Sequence, residues 1–287
     1  MKTVEFSQKS LDLISMYKTI ADEGYDRTDE TRVNVAFSDF ELRAYRQEIH
    51  SIFEQFSIKN ILDYGCGGSD WNFENFDIES QKSAVEYFNL EHAYRYEPAR
   101  NIDERQKVDA VISFDVLEHI FISDIPTVLR EMFSYTNKLL LINVACYPAA
   151  AKLPNGENAH ISVRDPLWWK GVLDTISLEF PEVYVCLICS PAWQKSTMYP
   201  IYQAKQWQKS ETFVVNLEPS KTIGCRTEFS AQWKKWIKTN LDSNKNKDDI
   251  FKILIDEGYT YNAIKDEMGY QPSISVDQLD NPFKNSK

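Results

Sequence analysis

Four groups of residues in this 287-residue chain have types and spacings suited to chemistry. The first is Asp63-Tyr64-Gly65-Cys66-Gly67-Gly68, at the end of the apolar run Asn60–Tyr64. A carboxylate at a strand end, followed at once by glycines, makes a turn whose backbone can approach a ligand closely and take up positive φ. The second is Asp115-Val116-Leu117-Glu118-His119-Ile120, which follows the apolar run Val108–Phe114 with two carboxylates and an imidazole. The third runs from Asn155 to Arg164 and on to Trp168-Trp169. Its amides, His160 and Arg164 put hydrogen-bonding groups beside apolar walls, as ligand sites do, and a histidine is the side chain poised to act as a base near neutral pH. The fourth is Cys186-Leu187-Ile188-Cys189, a C-x-x-C spacing that raises a zinc or redox reading. It lies within the apolar run Val183–Cys189, so a strand would turn the two thiols to opposite faces. No second such pair and no nearby histidine completes a metal site, and no metal is expected.

These groups need elements to hold them. Asn60–Tyr64, Ala93–Tyr96, Val108–Phe114 and Lys138–Val144 are short, near-continuous apolar runs, the pattern of a parallel sheet covered on both faces. Ser80–Phe88 and Ile125–Tyr135 have helical spacing between them, giving the β-α-β alternation of a doubly wound fold. Ligands of such sheets lie beyond the carboxyl ends of the strands, where the glycine turn falls. Ahead of the sheet, Ser10–Ala21 and about Asp39–Phe56 read as helices; Tyr17, Tyr25 and Phe37 there are candidates for a lid. Behind it, Leu167–Phe180 reads as a helix, and Glu182–Cys189 and Thr212–Leu217 as strands flanking an insertion over Ser190–Ser210. Asn240–Asp249 is polar and reads as a linker before a helical hairpin, Ile250–Asp256 and Tyr261–Met268.

The glycine turn is neither G-x-x-x-x-G-K-[ST] nor G-x-G-x-x-G, because position 70 is aspartate. A negative charge there disfavours pyrophosphate and suits a cationic ligand. The turn resembles the D-x-G-x-G motif of class I S-adenosyl-L-methionine (SAM)-dependent methyltransferases. The string Asp115–Ile120 is similar to that family's turn after the fourth strand, in its small-molecule branch. The resemblance covers about residues 58–145. It implies a Rossmann-like, mostly parallel α/β sheet with a SAM site lined by Asp63, Tyr64, Gly65, Gly67, Glu97, Asp115, Val116 and His119. Glu97, ending the second strand, takes the place of the acid that binds the ribose hydroxyls. It lies 34 residues after Asp63, further than the spacing of about 20 usual for such an acid, and Glu86 is the competitor on distance. So little chain separates Glu97 from the next strand that the third strand and its helix are expected shortened or missing, leaving Asp103 as the remaining candidate for an adenine contact. The implied reaction is methyl transfer to a small molecule, an oxygen acceptor on a sugar or metabolite. His160 is then the catalytic base, and Asn158, Arg164, Trp168 and Trp169 are the acceptor-side residues.

Composition sets the bounds. The 32 Lys+Arg stand against 43 Asp+Glu for a net charge of −11, which argues against a phosphate-rich partner. A nucleic-acid methyltransferase is the competing enzyme reading, but no D/N-P-P-Y/F signature follows Val108–Phe114 and Cys146-Tyr147-Pro148 has the wrong order for a Pro-Cys nucleophile. The other alternative is a SAM-binding interaction protein without turnover, in which the C-terminal hairpin contacts a protein. The five cysteines are too sparse for a disulfide framework, no run of about 18 apolar residues exists, and the polar start MKTVEFSQKS lacks the core of a secretory signal. A cytoplasmic protein is therefore expected, with no membrane partner. The expected organisation is a helical lead over 1–50, a SAM-binding Rossmann-like domain over 51–217 with its insertion at about 190–210, a helix and linker over 218–249, and the hairpin over 250–287.

Overall fold

The computed structural model describes residues 7–34, 41–73, 76–77, 80–192, 195–206, 215–217 and 226–272. Phe37, Trp193, Trp207 and Cys225 lie outside the described residues. The chain opens with helix α1 (Gln8–Glu23), whose N-terminus is capped by Ser7, and a small hairpin of β1 (Tyr25–Asp26) and β2 (Arg32–Val33). A 3-10 turn, Glu41–Tyr45, leads into α2 (Arg46–Gln55). Then come β3 (Asn60–Tyr64), α3 (Ala84–Tyr87), β4 (His92–Glu97), β5 (Ile102–Asp103) and β6 (Val108–Phe114). After a 3-10 turn at Leu117–His119 follow α4 (Ile125–Tyr135), β7 (Thr136–Ala145), α5 (Pro166–Ser177) and β8 (Tyr184–Ala192).

β4, β3, β6, β7 and β8 lie side by side in that order, each parallel to its neighbour. Counting β3 as first, this is the doubly wound order with the third strand replaced. In its place stands two-residue β5, antiparallel to β4 and reached through a single 3-10 turn, Pro98–Arg100. The expected shortening after Glu97 takes this form. On the other flank, β9 (Lys195–Met198) and β10 (Tyr202–Gln203) both pair antiparallel with β8, and β11 (Val215–Leu217) pairs with β9. The sheet is thus mixed, mostly parallel at its centre, with nine strands among the described residues. The segment 190–210, expected as an insertion, contributes sheet strands; Thr212–Val214 lie outside the described residues.

Both faces are covered. α4 shows why: Ile125, Val128, Leu129, Met132 and Phe133 recur at helical spacing and are all buried, forming one apolar stripe. That stripe and α5 close one face over Leu62, Val111, Leu140 and Leu187. α2, through Ile49, Ile52 and Phe53, closes the other over Ile61, Ala110, Leu139 and Cys186. Cys186 and Cys189 therefore sit as free thiols in different layers of the core, on opposite faces of β8. The helix expected over Ser80–Phe88 is only one turn, fixed by a capping box between Ser83 and Glu86.

α1 crosses the carboxyl ends of the strands. Its Leu13 and Ile20 pack with Leu153 and Ala159 of the loop after β7. Ser10 and Lys9 hydrogen-bond to Asp124 and Ser123, ahead of α4. At the far end of the chain, the expected linker is nearly absent. α6 (Ala231–Asp242) runs to Asp242, α7 (Lys247–Asp256) starts five residues later, and α8 (Tyr261–Met268) follows. Ile237, Ile250, Phe251, Leu254, Tyr259 and Ile264 form a core of their own. Asn240–Asp249 reads as polar because its helix ends carry Asp, Asn and Lys, while the apolar face of α6 is spread between lysines. Among the described residues, no helix is long and apolar enough to cross a membrane.

Candidate functional site

The glycine turn leaves β3 with Gly65 at φ +86° and Gly67 at φ +55°. A Cβ on Gly65 would come within 2.4 Å of the Val116 side chain, so the turn after β3 and the turn after β6 are in direct contact. The amides of Gly65 and Cys66 both donate to the carbonyl of Tyr96, tying the turn to the end of β4. The next residue, Glu97, completes the link: its Oε2 accepts from the Gly67 amide at 3.2 Å and its Oε1 from the Ala99 amide at 3.0 Å. Burial pushes the Glu97 carboxyl above its ordinary pKa, opposed by these two N–H groups. Asp63 is buried beneath the turn, where its Oδ2 accepts from Trp71 Nε1 at 2.9 Å. Burial raises it to about 7, and nearby Glu97 pushes the same way against the Trp71 bond.

A second cluster lies beside this one, past Val116. Asp115 holds a left-handed backbone, φ +57°, unusual for a non-glycine residue and a local strain. The 3-10 turn behind it carries Glu118 and His119, and the loop after β7 is stapled onto that turn: Ser162 donates from its amide to the Glu118 carbonyl and from its hydroxyl to the Ile120 carbonyl. This staple brings the His119 and His160 rings edge to face, with centroids 4.7 Å apart. His160 Nε2 lies 3.8 Å from Asp115 Oδ1, while its Nδ1 is 2.5 Å from the Tyr147 carbonyl oxygen. That carbonyl can only accept, so the hydrogen bond assigns a proton to Nδ1 and turns Nε2 towards Asp115. His119 Nδ1 likewise meets the Ala159 carbonyl at 3.0 Å and the Tyr17 hydroxyl at 2.6 Å. Tyr17 in turn donates to the same Ala159 carbonyl.

Burial pushes His119 down to about 4, helped by His160 and opposed by Asp115, so the imidazole is neutral at neutral pH. Tyr17 is held well above its ordinary pKa by burial, with the carboxylates of Asp115, Glu118 and Glu97 adding to the effect. Glu118 is wholly buried; its Oε1 accepts from the Ala145 amide, and its carboxyl also shares a hydrogen bond with Asp115. Burial and the neighbouring Asp115 carboxylate hold Glu118 well above the usual carboxylate range.

Several residues expected at the site do other work. Tyr64 points its ring into the core and donates its hydroxyl to Glu131 of α4 at 2.5 Å. Asn158 spends its amide on backbone, accepting from the Ala149 and His160 amides and donating to the Ala149 carbonyl, so it fixes the loop that carries His160. Trp169 is fully buried under α5 in the core rather than lining a pocket, because it falls on the sheet-facing side of that helix. Trp168 is half-buried against the same core, with the exposed Arg164 guanidinium over its ring at 6.0 Å. Glu86 is consumed by its capping box. Asp103 is held by Arg105, whose guanidinium also pairs with Glu131 and covers the Tyr96 ring.

Trp71 and the carbonyls of Tyr147 and Ala159 were missing from the expected site, and Tyr17 was expected there only as part of a lid. Trp71 follows Asp63 by eight residues and carried no spacing signal; the convergence of Asp115, His119 and His160 was foreshadowed only by Asp and His four residues apart on one turn. No metal was expected, yet one ligand-capable atom from each of these three residues lies within 4.8 Å of the others. Comparison with family models, with curated proteins and with solved structures gave no significant match to this chain.

Proposed function

We propose that this chain is a SAM-dependent methyltransferase of the class I type, acting on a small-molecule hydroxyl. The observation that carries the reading is the Glu97–Gly67 link: an acid ending β4 hydrogen-bonds the glycine turn ending β3, beside the turn that starts with Asp115. The donor set fits the cofactor. Glu97 keeps lone pairs for a ribose diol after its two backbone bonds, and Asp63, buried and raised to about 7, gains most from a cationic group that would hold it ionised.

When bound, the cofactor supplies a methyl group on a positively charged sulfur. The chain's own residues do the rest. Gly65 and Gly67 keep the turn bare so that backbone amides can approach. Tyr17 and the rest of α1 cover the carboxyl edge and exclude water from it, which suits a transfer whose charge is dispersed in the transition state. Asn158 and the Tyr147 carbonyl hold His160 with its Nε2 towards Asp115, where it accepts the hydroxyl proton when nothing else occupies the cluster.

Titration calorimetry of the full chain with SAM and with S-adenosylhomocysteine tests the reading. Saturable binding of both, weakened by Glu97→Ala, is expected. No binding of either nucleoside overturns it. The acceptor is then sought by incubating small-molecule hydroxyl panels with methyl-labelled SAM.

A further inference from the structure

We propose that Asp115, His119 and His160 bind one divalent first-row transition-metal ion at the carboxyl edge of the sheet, and that this ion holds the oxygen of the methyl acceptor. The second half rests on the methyl-transfer reading; the first does not.

The three side chains come from two separate segments, yet one ligand-capable atom of each lies within 4.8 Å of the others. Metal–ligand bonds to imidazole nitrogen and carboxylate oxygen are about 2.0–2.2 Å, so two ligands of one ion stand no more than about 4.4 Å apart. The Asp115 Oδ1 to His160 Nε2 separation of 3.8 Å already meets that limit. Placed opposite each other across the ion, the widest pair needs a shift of a few tenths of an ångström.

Both imidazoles are prepared as ligands. Metal-bound histidines present one nitrogen to the ion while the other N–H is held by a carbonyl or carboxylate. Here Nδ1 of His160 is held by the Tyr147 carbonyl and Nδ1 of His119 by the Ala159 carbonyl, an arrangement in which each ring can offer Nε2 to an ion. A further sign is Glu118. Its side chain is wholly buried and shares a hydrogen bond with Asp115, the kind of outer partner that orients a ligating carboxylate.

Ligand chemistry selects the ion. Two imidazoles and one carboxylate suit Zn²⁺, Co²⁺, Fe²⁺ or Mn²⁺, whereas Mg²⁺ and Ca²⁺ take oxygen ligands. Three protein ligands leave coordination positions open, the arrangement of sites that bind a substrate or water rather than serve structure. A hydroxyl oxygen in an open position would lose its proton more readily, the ion acting as a Lewis acid and the proton passing to solvent. His160 is then a ligand, and its role as proton acceptor belongs to the ion-free chain.

The test uses the full-length chain, stripped with a chelator and titrated with Co²⁺ and with Zn²⁺. One Co²⁺ per chain is expected, with visible d–d absorption of an ordered N/O site that Zn²⁺ abolishes, and with Mg²⁺ failing to compete. His119→Ala and His160→Ala should each weaken Zn²⁺ by more than about 100-fold, the upper end of what outer partners contribute. His50→Ala and His92→Ala, which alter histidines elsewhere, should leave it unchanged. Should His119→Ala misfold by circular dichroism, Asp115→Asn takes its place with the same expected loss. Unaltered Co²⁺ spectra or Zn²⁺ affinity in folded cluster variants overturn the proposal, as does a wild-type chain that binds no Co²⁺. SAM titration of both the metal-stripped and the Co²⁺-loaded chain separates the two readings: no SAM binding by either form, with an intact cobalt spectrum, rejects methyl transfer and keeps the metal site.

Discussion

The two sides of the site are built by different means. On the side proposed for the cofactor, Asp63, the glycine turn and Glu97 belong to β3 and β4 or to the residues that end them, and adjacent parallel strands fix their spacing. Most of the bonds there involve backbone. On the other side, Asp115, His119 and His160 meet only because the loop after β7 is stapled to the turn after β6, with α1 laid across both. Ladder hydrogen bonds set the first; side-chain to carbonyl bonds and loop docking set the second. A strand-end site tolerates change in distant loops, whereas a loop-built site depends on each of its staples.

The largest effect expected from this contrast is in His160→Ala. General acid–base assistance contributes about 10²–10⁴-fold, so turnover with an identified acceptor should fall by that order while SAM affinity stays unchanged. Paired kcat and calorimetric measurements read both sides at once. A loss of SAM binding in step with activity would merge the two sides and break the comparison. Glu97→Ala should do the reverse. A hydrogen bond to a charged group is worth about 1.5–3 kcal/mol, so SAM should bind roughly 10- to 100-fold more weakly. Glu86→Ala, which removes only a helix cap, should bind as wild type does. If the two variants exchange behaviour, the ribose acid has been misassigned.

A smaller effect is expected from pH. Asp63 is raised to about 7 in the folded chain, above its unfolded value near 3.8. The native state therefore holds the extra proton between those values, and stability falls as pH rises through that window, levelling above about pH 7. A cationic ligand favours the ionised carboxylate, so SAM binding should release a proton at pH 6. Its affinity should rise with pH to about 7 and then flatten. Calorimetry in buffers of different ionisation enthalpy measures the proton count. Asp63→Asn should make the profile flat, and a wild-type profile that is already flat would remove Asp63 from the binding surface.

The same contrast governs how much was legible in the sequence. Asn60–Tyr64 and Val108–Phe114 coincide with β3 and β6 because a buried parallel strand must be apolar on both faces, and that pattern is local. That Asp63, Gly65, Gly67 and Glu97 lie together was legible for the same reason: each sits at or just past a strand end, and a strand end predicts a position in space. His160 was placed near the edge, but its partners were not foreseen. Nothing in Tyr147 or Ala159 marks their carbonyls as ring anchors, and Tyr17 reaches the cluster from more than a hundred residues away. Trp169 misled because an aromatic beside a polar loop reads like a pocket wall; the register of α5 turned it into the core, where its Nε1 is buried without a partner. The polar stretch 240–249 misled in the opposite direction, since helix caps share the composition of linkers.

The smallest effect is expected from a region that belongs to neither side. α6, α7 and α8 share a core of Phe229, Ile237, Phe251, Leu254 and Ile264, with Phe229 stacked on Tyr259 at a centroid distance of 4.0 Å. The isolated parallel bridge Arg226 makes with Tyr259, through backbone bonds to Gly258 and Thr260, closes this unit from its own start. A cut within it, such as after Leu241, would strip α6 of its partners and leave Trp233, Trp236 and Ile237 facing water, so aggregation after such a cut would say nothing about the sheet. A chain ending at Thr222 removes the whole unit and keeps β11, the outermost strand on that flank. It should stay monodisperse on size exclusion and bind SAM and Co²⁺ as the full chain does, because every side chain assigned to either side of the site lies before residue 170. Loss of Co²⁺ with retained SAM would mean that the helices support the loop-built side alone, which would sharpen the contrast. Loss of both would show that the sheet needs the helices to fold, and the division between the two sides would no longer be a division between independent supports.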